Sequence, residues 1–182
     1  MRWIMLATVL GFGITGCAPS PPVSTAIMPP QTGLADPVNA VQYAAWAFAW
    51  PSRTENDPLS AARAVAALDY AAGDINTNQR WVGLSPIVWN EMLIARTDVR
   101  RVLGVPADAP SQAVVNAMTL TMLALEAGDR AQALAVLSSP MFTFGPERTL
   151  AVLTNLPYVR MANVATSDVE NTLNCVRCAA VF

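Results

Sequence analysis

From residue 37 onward, apolar residues recur every three to four positions, and the breaks fall where an acidic or hydroxyl residue stands just before a proline. Such a pair caps the orphan N–H groups of a helix start and pre-sets φ for its first turn. Asp36-Pro37 therefore predicts a helix that Pro51 ends, and Asp57-Pro58 a second running through Ala61, Val65, Leu68 and Ala72 to Gly73. Ser85-Pro86 predicts a third, with Val88, Met92, Ala95, Val99 and Val102 on one stripe and Gly104 closing it. A fourth opens at Ser111 and ends at Gly128, and a fifth runs from Asp129 to just before Pro140. Pro146 and Pro157 predict two more, and Ser167 with Glu170 reads as a capping box ahead of Val169, Leu173 and Val176. The fourth helix is apolar around most of its circumference (Val114, Val115, Met118, Leu120, Met122, Leu123, Leu125), which places it at the centre of the bundle. No segment alternates as a strand does. The expected fold is all-α: one bundle of about six to eight short helices arranged as αα-hairpins. It spans residues 37–174, with residues 175–182 as a C-terminal tail.

The first 16 residues follow another pattern. Met1-Arg2 gives a positive start, Trp3 to Phe12 is apolar except at Thr8 and Gly11, and small residues follow. This is the plan of a secretory signal, and it has nothing to pack against. The stretch Ile14-Thr15-Gly16-Cys17 resembles the lipobox of bacterial lipoproteins. The resemblance implies cleavage between Gly16 and Cys17, a diacylglycerol on the Cys17 sulfur, and an acylated new N-terminus. Each buried methylene contributes about 0.8 kcal/mol, so several acyl chains on one residue make a stable anchor. Soluble secretion is the alternative, but a cut after Ala18 would have to proceed against Pro19. Ala18, rather than Asp, after the anchor resembles the enterobacterial outer-membrane address. The implied location is the cell envelope, facing the periplasm, with the outer membrane favoured over the inner.

Residues 17–36 then read as a linker. The stretch from Ala18 through Pro37 carries six prolines, Pro37 included, without helical period, so an extended, partly polyproline II spacer is expected. Such a spacer would hold the bundle tens of ångströms off the lipid at ~3 Å per residue.

Composition narrows the chemistry. The chain is 53% hydrophobic and 13% charged, with a formal charge of −2, which excludes wholesale disorder and offers no basic face for nucleic acid. All eleven basic residues are Arg; there is no Lys and no His. Serine or cysteine hydrolases that use His, imidazole metal sites, Walker A loops and Schiff bases all fall away. No cofactor or metal is implied, and no catalytic constellation is recognisable.

Cys175 and Cys178 form a Cys-x-x-Cys pair. Position 179 is Ala where c-type haem attachment needs His, neither His nor another free Cys exists to complete a zinc site, and no strand precedes the pair as in thioredoxin-like motifs. A local disulfide in an oxidising compartment is the expected reading. Asn76, Thr77, Asn78, Gln79 and Arg80 form the longest polar irregular stretch and are the expected interaction surface. Tyr43, Trp46 and Trp50, with Phe48, recur at helical spacing and are expected in the core, a carbohydrate- or lipid-contacting face being the alternative. Arg96, Arg100 and Arg101 read as a solvated face near a helix C-terminus. Glu91 is the one carboxylate worth screening for acid–base work; a lone Glu in a helical envelope protein resembles peptidoglycan lytic enzymes, whose flanking motif is missing.

The stretch Leu125-Glu-Ala-Gly-Asp-Arg-Ala-Gln-Ala-Leu134 resembles the helix–turn–helix of tetratricopeptide repeats, with a fainter second copy at Ala72-Gly73-Asp74. The resemblance implies a helical hairpin. The expected function is that of a lipid-anchored, non-catalytic module that binds another envelope protein. A small-ligand or lipid carrier and a peptidoglycan-active enzyme using Glu91 are the alternatives.

Overall fold

The computed structural model describes the backbone of residues 23–179 and the side chains of residues 23–175. Its seven helices are α1 (Pro37–Ala49), α2 (Pro58–Thr77), α3 (Pro86–Val102), α4 (Ser111–Glu126), α5 (Arg130–Leu137), α6 (Pro146–Thr154) and α7 (Arg160–Ala179), with no strand among the described residues. The fold is an all-α bundle.

The helix starts follow from local chemistry. Asp36 accepts from the Val38 N–H at 2.8 Å, Asp57 from Ser60 at 3.0 Å, Ser85 from Ile87 at 3.2 Å and Asp129 from Gln132 at 2.8 Å. Pro occupies the first turn of α1, α2, α3 and α6, where its missing N–H leaves no unmet donor. The turn between α4 and α5 is the hairpin expected at Gly128-Asp129, with Gly128 at φ 71°.

The centre is α2, not α4. α2 packs against α1, α3, α4 and α6; α7 closes over α1 and α3, and α5 bridges α4 to α6. Thirteen α2 residues are buried, most of them Ala, against eight on α4. On α4, Val114, Val115, Met118 and Met122 face inward, while Leu120 is exposed. Small side chains let helix axes approach closely on all sides, so an Ala-rich helix can be surrounded where a Leu-rich one would hold its neighbours off.

Three boundaries differ from expectation. α2 continues past Gly73 to Thr77. The starts expected at Pro157 and Ser167 merge into α7: Ala162, Ala165, Thr166 and Val169 are buried along one continuous face, so Ser167 and Glu170 stand mid-helix rather than at a cap. The 175–182 tail is helical as far as Ala179, continuing α7.

The largest difference lies before α1. Residues 23–36, expected as part of the spacer, are a strap docked on the bundle. Met28, Thr32 and Leu34 are buried. The Ser24 carbonyl accepts from Arg96 Nη1 at 2.9 Å, and Ser24 Oγ accepts from the Ser111 N–H at 2.9 Å. The Gln112 amide bonds both the N–H and the carbonyl of Ile27, at 2.7 and 3.0 Å. Arg63 donates to the Thr32 carbonyl and Tyr70 to that of Ala35. A proline-rich segment is short of backbone donors; a 3-10 turn at Pro30–Thr32 meets the Pro29 and Pro30 carbonyls, and side chains of α2, α3 and α4 supply donors to others.

Candidate functional site

Beneath the strap lies a polar knot. Arg100 is 1% exposed and directs all its donors to acceptors. Its Nε and Nη2 form a bidentate pair with Asp69 at 2.7 and 2.8 Å, Nη2 also meets Ser111 Oγ at 3.0 Å, and Nη1 meets the Ala107 and Ala109 carbonyls at 2.7 and 2.8 Å. Arg96 adds a bond to Ser111 Oγ at 3.1 Å, and burial, offset by Asp69 and reinforced by Arg100, lowers its pKa. Only Arg101, paired with Asp98 at 2.7 Å, keeps the solvated role expected for all three. The reason is rotational: Arg96 and Arg100, four residues apart on α3, face the bundle, and Arg101 does not. With Asp69, Arg100 and Ser111 closed to solvent, the knot holds α2, α3, the 107–109 turn and the strap together.

The expected surface at residues 76–80 is not an irregular loop. Asn76 and Thr77 belong to α2, and Gln79–Trp81 form a 3-10 turn. Asn76 Nδ2 donates to the Ala72 and Trp89 carbonyls, and Thr77 Oγ1 to that of Gly73. Asn78 donates to Asp74 and accepts from the Arg80 N–H, and Arg80 pairs with Asp36 at 3.2 Å. Trp81 is buried and donates to Asp74 at 2.7 Å. These polar groups organise the α2–α3 turn. Beside it, burial and the carboxylates of Asp74 and Asp36 raise the Tyr70 pKa, against an opposing pull from Arg80.

Gly16 and Cys17 lie outside the described residues, as does the side chain of Cys178; Cys175 is exposed near the end of α7. Glu91 is half-buried on α3. Among the described residues no group of three or more His, Cys, Asp or Glu is arranged to hold a metal, and no helix is long and apolar enough to cross a membrane.

The face best suited to recognition is aromatic, at the opposite end of α2 from that turn. Phe48 is buried as expected, but Trp46 and Trp50 are exposed, Trp50 at 64%. On α1, Ala40, Val41, Ala44 and Phe48 are buried and Tyr43 is half-buried against the core, its hydroxyl donating to the Ser60 carbonyl of α2, which leaves Trp46 and Trp50 outward. Trp50 precedes Pro51, which forces extended backbone (φ −142°, ψ 128°) and carries its ring off the helix. Tyr158, 54% exposed in the α6–α7 connection, lines the same groove as Trp50.

Ala49, Trp50, Pro51, Tyr158 and Asn163 line an open groove of about 420 Å³. Its base is fixed by Asn163, whose Nδ2 donates to the Phe48 carbonyl at 3.2 Å. Tyr43 packs on Trp46 with ring centroids 5.4 Å apart, and the Arg53 guanidinium lies 5.6 Å from the Trp46 ring centroid while donating to the Trp46 carbonyl. A second groove of the same volume, between Pro106 and Met141, has no aromatic ring in its lining, so lining rather than size separates the two. With no carboxylate or guanidinium among the residues lining it, the aromatic groove is built for stacking and apolar contact rather than acid–base chemistry. The pre-proline position of Trp50 was a readable sign of this face; nothing in the sequence pointed to Tyr158.

Comparison of the chain with family models, with curated proteins and with solved structures finds no match.

Proposed function

We propose that this protein is a lipid-anchored component of the bacterial envelope, acylated on Cys17, and that it acts as a non-catalytic interaction module for another envelope protein. The observation that carries the interaction reading is that two exposed rings, Trp50 and Tyr158, line one open groove. Aromatic side chains are enriched at protein–protein interfaces because they offer large contact area with little conformational entropy to lose. The lipobox resemblance supplies the anchor, and the absence of His and Lys from the chain supports a role without turnover. The test is photocrosslinking in intact cells with a benzophenone amino acid at position 158, and at Gln79 as the comparison. A discrete adduct from position 158, lost when Trp50→Ala is added and not formed from position 79, is the expected result. Adducts from position 79 alone would move the interface to the α2–α3 turn and overturn this assignment.

A further inference from the structure

We infer that the end of the bundle formed by the α2–α3 turn rests on the lipid surface, so that the aromatic groove is presented away from it. This rests on the proposal that Cys17 is acylated. The strap sets the geometry. Chain that would otherwise be free spacer is tied down from residue 24 onward by Arg96, Ser111 and Gln112. Only six residue steps separate Cys17 from Val23, and whatever their conformation they span at most about 20 Å. The bundle cannot stand farther than about 20 Å from its anchor.

The point of attachment then decides which end is near. The strap crosses α2 at Gly73, where an added Cβ would lie 2.7 Å from the Ser24 carbonyl oxygen, one turn from the helix C-terminus. α1 runs back antiparallel to α2: Asp36 meets Arg80 beyond the α2 C-terminus, and Tyr43 reaches the Ser60 carbonyl near its N-terminus. Trp50 follows the last turn of α1 and so lies at the far end. The fifteen residues from Gly73 back to Pro58 carry α2 about 22 Å along its axis. Attachment and groove are separated by most of the length of the bundle.

The near end also has the chemistry of a lipid contact. Val82 and Ile87, on either side of the turn that leads into α3, are 80% and 70% exposed. Aliphatic side chains projecting from a turn toward a bilayer enter its interface with favourable transfer free energy, adding to the acyl anchor without spanning the membrane. At the far end Trp50 and Tyr158 border a groove. One end is shaped to lie on lipid, and the other is held out.

The experiment uses the full-length acylated protein carrying Cys175→Ser and Cys178→Ser, reconstituted in phosphatidylethanolamine–phosphatidylglycerol vesicles that contain a lipid with a nitroxide near its headgroup. Single cysteines at Val82, Ile87 or Tyr158 carry bimane. The expected result is loss of bimane fluorescence at positions 82 and 87 and full retention at 158, in protein that floats with the vesicles. Equal quenching at 82 and 158, or quenching at neither in floating protein, overturns the placement while leaving the anchor intact. Protein that fails to float and shows a free Cys17 thiol removes the anchor and the placement together, and the thiol distinguishes that outcome from the others.

Discussion

Arg100 has five N–H donors, and Asp69, Ser111 and the carbonyls of Ala107 and Ala109 meet every one of them. A charge pair this deep is sustained only by complete satisfaction, because desolvation of each ion is offset by its partner and by the remaining hydrogen bonds. Arg100→Met would strand Asp69 as an unpaired buried carboxylate, and a loss of about 3–5 kcal/mol is expected. The double variant Asp69→Leu/Arg100→Met should be less destabilised than Arg100→Met alone, since no orphan charge remains. Urea unfolding of the three proteins checks this; a single variant within about 1 kcal/mol of the parent would mean that the knot is not what holds these elements together. This is also where the sequence was least legible. Arg100 and Arg101 are adjacent and chemically identical; helical phase turns Arg100 inward, and the α2 carboxylate that lets its charge stay there lies 31 positions away.

At the scale of elements, helix starts were readable and helix neighbours were not. Asp36-Pro37, Asp57-Pro58 and Ser85-Pro86 start helices through contacts within three residues, so local sequence determines them. The central position of α2 depends on how near several helices can come. Its Ala residues encode that proximity, yet they score below the Leu and Met of α4 on any scale of apolar surface. Gly73 illustrates the same gap. Read locally it ends a helix; in the fold it lies within α2 and leaves room for the strap backbone. Gly73→Ala should gain about 1 kcal/mol in helix propensity and still expel the strap, because the new methyl meets backbone rather than a movable side chain. Limited proteolysis is expected to cut the variant within residues 23–35 much faster than the parent, with the α2–α4 core intact. Equal cutting rates would show that the strap is not seated over that glycine. The proline run differs from expectation for a related reason: proline cannot donate from its backbone, but the segment's carbonyls still accept hydrogen bonds from Arg63, Tyr70, Arg96 and Gln112.

At the scale of the whole molecule, the described chain is a bundle with two unlike ends. The α2–α3 turn carries exposed aliphatics close to the start of the strap, and the end where α1 finishes and α7 begins carries Trp50 and Tyr158 around a groove. That polarity was half-legible: the pre-proline setting of Trp50 hinted at exposure, whereas Tyr158 comes to line the same groove through tertiary packing alone. It acquires functional meaning only if the chain is tethered at residue 17, since the tether makes one end proximal and the other distal. The most direct measurement is intact and N-terminal peptide mass spectrometry of the protein isolated from the envelope of its native host. The account predicts a mature chain beginning at Cys17 and carrying the added mass of a diacylglycerol and an N-acyl group. A chain beginning at Met1, or at any position with an unmodified Cys17 thiol, would contradict it.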